Sequence, residues 1–406
     1  MIARKLLSKR MAGVQASPML ALVGKTAELK AAGRDIIGLA AGEPDFETPI
    51  HIRDAAAAAM ACGQTRYTAV DGTRALKAAI AGKFRRENRL SYGPDEITVG
   101  TGGKQVIYNA LTATVDPGDE VVISLPAYPS YAEITRMCGG APVEILCDQD
   151  SGFKLTPERL AAALTARTKW LILNSPGNPT GAVYSRDELR ALADVIVSHP
   201  DVWILTDDIY EHLIYRSEPY ATIAEVEPRL QDRTLTVNGV SKAYCMTGWR
   251  IGYGGGPTAL ISAMNVVQSQ CTSNPSSIGQ AGALAALTGP QNCLAAHRIE
   301  YMRRRDRVVQ ELNASRALSC LVPDGAFYAF PSCHALEGVR STAGVFESDV
   351  DVAKYLLDEA GVVVVPGSAF GAPWHLRLSF ALDLETLVEG CRRIRSALET
   401  LPRNQA

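Results

Sequence analysis

Lys242 is a candidate amine nucleophile: in an apolar setting a lysine gives up its proton more easily than in water. It lies in the segment Gly239-Val-Ser-Lys-Ala-Tyr-Cys-Met-Thr-Gly-Trp-Arg250. Three other segments carry unusual polar residues. Asp207-Asp-Ile-Tyr210 offers a carboxylate and a phenol three residues apart. Asn174-Ser-Pro-Gly-Asn-Pro-Thr-Gly181 is a turn stiffened by two prolines, with Asn178 at its centre. Gly100-Thr-Gly-Gly-Lys104 puts Gly102 and Gly103 at a helix start, where free N–H groups and the helix dipole suit a phosphate. Singly, each has a plainer reading: a surface lysine, a helix cap, a rigid loop without a ligand, an ordinary strand-to-helix turn.

The elements that carry these segments change the balance. Short β-rich runs alternate with helical stretches. Strands are expected at Ile97–Gly100, Glu120–Ser124, Ala141–Leu146, Lys169–Leu173, Val202–Thr206, Thr234–Asn238 and Ile251–Tyr253. Helices are expected from Gly103 to about Ala113 and from Ser185 to Val197, with Ser185 and Glu188 forming a capping box. Asp207 and Asp208, being adjacent, should point apart. This alternation predicts an α/β fold: a mainly parallel, buried sheet with helices on both faces. Ligands of such sheets sit at the carboxyl ends of the strands, and all four polar segments follow a strand. Together they meet one chemical need, that of pyridoxal 5′-phosphate. That cofactor requires a lysine amine, a carboxylate at its ring nitrogen, donors at its ring oxygen and a phosphate cradle with an arginine.

Around this sheet, Met264 to Arg316 reads as mostly helical with a break near Asn274-Pro275. After about residue 317, strands at Phe327–Phe330, Val362–Val365 and Leu376–Phe380 alternate with helices at Asp349–Ala360 and Leu384–Leu401, which suggests a smaller α/β domain. A helix from Met19 to Ala32, ended by Gly33, precedes the large sheet. The expected division is an N-terminal segment 1–45 packing with the small domain, a large cofactor-binding domain 46–316 and a small domain 317–406.

Composition agrees with such a protein and narrows the alternatives. The chain has 406 residues, 47% hydrophobic and 21% charged, a length and balance that suit two globular domains. Its 41 Lys+Arg and 43 Asp+Glu leave a formal charge of −2, so no global field favours nucleic acid or a membrane surface. No apolar run reaches membrane-spanning length. The first ten residues lack an apolar core of signal-peptide length, and a cytoplasmic location is expected. The nine cysteines are odd in number, scattered and without C-x-x-C spacing, so reduced thiols are expected. The six histidines show no metal-binding spacing, and no metal is expected.

Asn178-Pro-Thr-Gly181, Asp207-x-x-Tyr210 and Ser241-Lys242-x7-Arg250-Ile-Gly252 resemble the signature of class I/II aminotransferases, pyridoxal-phosphate enzymes of fold type I. Ala41-Gly-Glu-Pro-Asp-Phe46, Tyr67, Val237-Asn-Gly239, Met246-Thr-Gly-Trp-Arg-Ile-Gly252 and His375-Leu-Arg-Leu-Ser379 narrow the likeness to the bacterial aspartate aminotransferase branch. It spans residues 14 to 398 in family order. It implies a seven-stranded-type sheet in the large domain and a ping-pong transaminase.

The resemblance also implies roles. Lys242 would hold the cofactor and shuttle the substrate proton. Asp207 would face the ring nitrogen, Asn178 and Tyr210 the phenolic oxygen, and Tyr128 would stack on the ring where much of the family has Trp. Arg250, Gly102 and Gly103 would hold the phosphate. Tyr67 would reach the neighbouring subunit's cofactor, which implies a homodimer with shared sites. Arg377 would clamp the substrate α-carboxylate, with Gly42 at the same end, and its strand should place His375, Arg377 and Ser379 on one face. Asn178-Pro179 is a candidate cis peptide. One departure is Gly239, where many relatives carry a phosphate-binding Ser. Lys104 matches a lysine that could pair with a distal carboxylate. That favours aspartate as donor, with glutamate as partner and 2-oxoglutarate or oxaloacetate as oxo acids. Met19, apolar where relatives are more polar, is the residue that would widen tolerance toward aromatic or alanine-type substrates. A fold type I lyase acting on carbon–sulfur or aminocyclopropane chemistry is a lesser alternative. A regulatory protein is disfavoured because no helix-turn-helix segment precedes the domain.

Overall fold

Seven strands make one sheet in the order Ile97–Gly100, Gly252–Gly255, Thr234–Gly239, Trp203–Asp207, Thr168–Asn174, Glu120–Leu125, Ala141–Leu146. In this computed structural model residues 8–16, 18–342 and 344–402 are described. Gly252–Gly255 runs antiparallel to both neighbours, and the other pairings are parallel. Alternate side chains enter different cores. Val121, Ile123, Trp170 and Ile172 pack on one face. Val122, Leu171 and Leu173 pack on the other. A sheet apolar on both faces must be covered twice, and that is why these runs read as nearly continuous hydrophobic stretches.

Local signals set the helix ends. Ser185 Oγ accepts from Glu188 N at 3.1 Å and the Glu188 carboxylate accepts from Ser185 N at 2.7 Å, closing the expected capping box on the helix Arg186–Val197. Gly33, at φ 80°, ends the helix Pro18–Ala31 in the left-handed region, and Arg34 N reaches back to Leu29 O at 3.1 Å.

Two expectations need correction. The helical region after the sheet is three helices, Thr258–Cys271, Ser277–Thr288 and Asn292–Asn313, so there is a second break at Gly289-Pro290 beside the expected one. Proline at 290 supplies no N–H for a continuing helix. The strand expected at Val362–Val365 is two short ones, because its halves pair with different partners. Val362–Val363 runs parallel to Ile37–Gly38, and Val365–Pro366 runs antiparallel to Leu376–Ser379. The latter also pairs with Tyr328–Ala329 to complete a three-stranded sheet. Ile37 and Leu39 share their core with Val362, Leu376, Leu378 and Phe380. The N-terminal segment is thus built into the C-terminal part of the chain. Among the described residues no helix is long and apolar enough to cross a membrane.

The antiparallel strand passes so close to the Gly102-Gly103 turn that a Cβ on Gly252 would overlap Gly103 N and Gly102 C. Both are backbone atoms that cannot rotate away. Gly252→Ala is therefore expected to cost about 1–3 kcal/mol in urea unfolding. Gly24→Ala, in the interior of the exposed helix Pro18–Ala31 where the added methyl meets nothing within 4 Å, is the opposite control and should stabilise by about 0.5–1 kcal/mol.

Candidate active site

Asp207 closes its strand with the side chain 8% exposed. Its Oδ2 accepts from Tyr131 Oη at 2.7 Å and its backbone oxygen from Asn174 Nδ2 at 2.8 Å. Asp208 points elsewhere, as expected, and accepts from Thr206 Oγ1 at 2.6 Å. The helix-cap alternative for Asp207 does not hold, because residues 209–212 form a turn and the next helix starts at Ile223. Burial lifts the Asp207 carboxyl to about 6, against hydrogen bonds from Tyr131 and Ile209 and the charge of Lys242. A cationic ring nitrogen beside it would favour the ionised form.

The neighbouring strand end is tied to the same place. Asn174 Oδ1 accepts from Asn178 N at 2.9 Å. The Asn178-Pro179 peptide is cis, as are Ser175-Pro176 and Leu125-Pro126. Asn178 Oδ1 in turn accepts from Arg377 Nη1 at 2.9 Å. Tyr210, 4% exposed, places its hydroxyl 2.7 Å from that of Tyr328.

Lys242 follows the next strand. Its Nζ donates to Gly42 O at 2.6 Å and lies 5.9 Å from the ring centroids of both Tyr210 and Phe327. Burial lowers its pKa to about 8; Arg377 and Arg250 push the same way, and Glu43 and Asp207 oppose them. Gly102 begins the helix Gly103–Thr114 at φ 85°, and the Arg250 guanidinium fills the space a Cβ there would need. Arg250 itself sits at φ 57°, a left-handed conformation that a non-glycine residue adopts at a cost. It donates to Thr247 O at 2.8 Å. Lys104 is exposed, with its ammonium 5.2 Å from the Tyr128 ring centroid. Tyr128 meets Tyr131 edge-on at 5.6 Å.

Arg377 is wholly buried on the central strand of the small sheet. Leu376, Leu378 and Phe380 face the apolar core as the alternation required. Arg377 Nη2 donates to Ala40 O at 2.7 Å, and the guanidinium lies 4.5 Å from the Tyr328 ring and 4.9 Å from that of Phe370. Its Nε has no partner. Gly42 lies alongside, where a Cβ would come 3.1 Å from Tyr328 Oη. Tyr67 stands apart, 90% exposed on the single chain. The side chain of Met19 lies outside the described residues.

Eleven of the twelve anticipated residues thus meet at one sheet edge, and Tyr67 does not join them. Lys104, Lys242, Arg250 and Arg377 have no carboxylate within ion-pair distance among the described residues. A buried guanidinium held only by neutral oxygens, with its Nε–H unpartnered, is a receptor for an anion. A buried carboxylate, an amine of lowered pKa and a glycine turn under an arginine fit a phosphorylated aromatic aldehyde. Tyr131 and Tyr328 lie in the site without belonging to any of the marked segments. Tyr131 had a faint signal, one helical turn beyond Tyr128. Tyr328 had none, because its importance lies in a contact across more than a hundred residues, and Asn174, the first residue of the marked turn, owes its own part to a bond with the adjacent strand end.

Residues 34–394 match the family described as aminotransferase class I and II. The chain is 54% identical to the aspartate/prephenate aminotransferase of Cereibacter sphaeroides over 391 residues, 96% of this chain and 98% of that one. It is similar to the crystal structure of the aspartate aminotransferase from Rhizobium meliloti, with TM-score 0.94, 51% identity and coverage of 98% and 99%. The Thermus thermophilus aspartate aminotransferase with maleate gives TM-score 0.90 at 43% identity, covering 97% and 99%.

The low proton affinity of Lys242 is checked by following capture of pyridoxal phosphate by the cofactor-free protein against pH. The free amine is the attacking form, so the rate should rise through a midpoint near 8 and level off above it. A rate still climbing toward 10.5 would mean that Nζ is fully hydrated.

Proposed function

The chain belongs to the class I and II aminotransferases, and on that premise we propose that its amino donor is aspartate, with 2-oxoglutarate as acceptor and glutamate and oxaloacetate as products. It is a pyridoxal-phosphate-dependent transaminase. Its order is ping-pong: the first 2-oxo acid leaves before the second enters. The observation that carries the aspartate reading is the pair of cations left without counter-charge, Arg377 in the interior and Lys104 at the rim beside Tyr128. A C4 dicarboxylate supplies one anion for each. Supporting this, the Thermus relative is described with maleate, itself a C4 dicarboxylate.

The cofactor supplies an aldehyde carbon and an electron-withdrawing ring. Lys242 would hold that carbon, and its amine, when free, would carry the proton to and from the substrate Cα. Its lowered pKa keeps a useful fraction of free amine near neutrality. Asp207 would keep a proton on the ring nitrogen, with Tyr131 holding the carboxylate in place. Asn178 and Tyr210 would steady the phenolic oxygen. Gly102, Gly103 and Arg250 would take the phosphate, and Tyr128 would lie against the ring. Arg377, with Gly42 beside it, orients the α-carboxylate. Lys104 takes the distal one.

The working division is 1–45, 46–316 and 317–406, with the site between the larger and smaller parts. The exposed Tyr67 favours a homodimer in which this ring enters the partner's site, and sedimentation of the purified protein as a monomer would remove that reading. A cytoplasmic location fits these small metabolites. A second acceptor, prephenate, is favoured by the name of the Cereibacter relative; it is a 2-oxo acid with a second carboxylate, so it asks for the same two cations.

A half-reaction screen tests the substrate reading. The yellow holoenzyme is mixed with single amino acids and loss of the visible band is followed. Aspartate and glutamate should convert it fastest. In Lys104→Ala the KM for both should rise about fivefold while that for alanine stays unchanged, the effect of losing an exposed ion pair. Conversion by aromatic or aliphatic amino acids alone would overturn the aspartate reading. Release of pyruvate and ammonia without an oxo acid would point to a lyase.

A further inference from the structure

Three parts of the candidate site meet at Tyr328. Its side chain is 1% exposed, and its hydroxyl lies 2.7 Å from Tyr210 Oη. The Arg377 guanidinium packs on its ring at 4.5 Å, and the Gly42 backbone is close enough that a Cβ there would come 3.1 Å from its oxygen. The residue is well held. Its backbone pairs with Ser379, two residues from Arg377, and its ring packs 4.8 Å from that of Phe327.

We propose that Tyr328 is a positioning residue that donates its hydroxyl proton to Tyr210, so that Tyr210 presents its own proton to the phenolic oxygen of bound pyridoxal phosphate. The inference rests on the reading of Tyr210 given above. A phenol has one proton to give. If Tyr210 gave it to Tyr328, only lone pairs would face the cofactor's electron-rich oxygen. With Tyr328 as donor, Tyr210 is free to donate outward, and the bond it receives makes its own O–H a stronger donor. Arg377 selects this direction, because a cation stacked on the Tyr328 ring stabilises negative charge on that oxygen and so strengthens its O–H as a donor. Burial raises both phenols and the guanidinium opposes it in both, but it is stacked on the ring of Tyr328, where it is the largest influence after burial. Tyr328 thereby links the residue that binds the substrate carboxylate to the residue that steadies the cofactor.

The readout is the pH midpoint at which the holoenzyme's visible absorption changes. Donation to the phenolic oxygen counts most when no proton is shared along the lysine–cofactor link, so removing donation raises the midpoint. Tyr210→Phe should raise it most. Tyr328→Phe, which keeps the ring and deletes one hydroxyl, should raise it by about half a pH unit. The double variant should sit no higher than Tyr210→Phe alone. An unchanged midpoint in Tyr328→Phe, or a double variant equal to the sum of the two shifts, overturns the relay while leaving Tyr210 in its role. An unchanged midpoint in Tyr210→Phe overturns the reading of Tyr210 itself, and the relay with it. A packing role alone would lower the melting temperature of Tyr328→Phe and leave its midpoint at the wild-type value.

Discussion

A guanidinium buried without a counter-charge is costly, and the arrangement around Arg377 exists to hold one. Its strand is central in a three-stranded sheet, fixed on both edges by Val365–Pro366 and Tyr328–Ala329. Its two terminal nitrogens are satisfied by the Ala40 carbonyl and the Asn178 amide oxygen. Those three anchors come from the C-terminal sheet, the N-terminal segment and a loop of the large sheet. One side chain therefore joins all three parts of the chain. An N–H left free is the reason a carboxylate should enter there.

Burial also works in opposite directions on the two central ionisable groups. It pushes Asp207 up to about 6 and Lys242 down to about 8, bringing both nearer neutrality. Each group is thus ready for a ligand that changes its charge balance: a cationic ring nitrogen for the aspartate, an aldehyde carbon for the lysine. The glycine turn and Arg250 would complete the same logic at the phosphate end of the proposed site. There, close backbone approach leaves room for an anion against N–H groups.

Much of this was readable along the chain. Strand ends at Gly100, Asn174, Asp207 and Gly239 carried the polar residues, and hydrophobic runs located those strands to within a residue or two. The Ser185–Glu188 box and Gly33 marked helix ends because capping is a local interaction between near neighbours. What escaped was decided by partners distant in sequence. The divided Val362–Pro366 region looks continuous until one half is seen to pair with residue 37 and the other with residue 377.

By itself, then, the sequence determined the order of elements and the strand ends that carry the candidate site residues, because propensity, capping and alternation act over a few residues. Only the tertiary structure decided that Arg377 has no counter-ion, that Tyr131 steadies Asp207 and that Tyr328 touches Tyr210. Those facts depend on desolvation and on contacts across 76 to more than 100 residues, which no local pattern encodes.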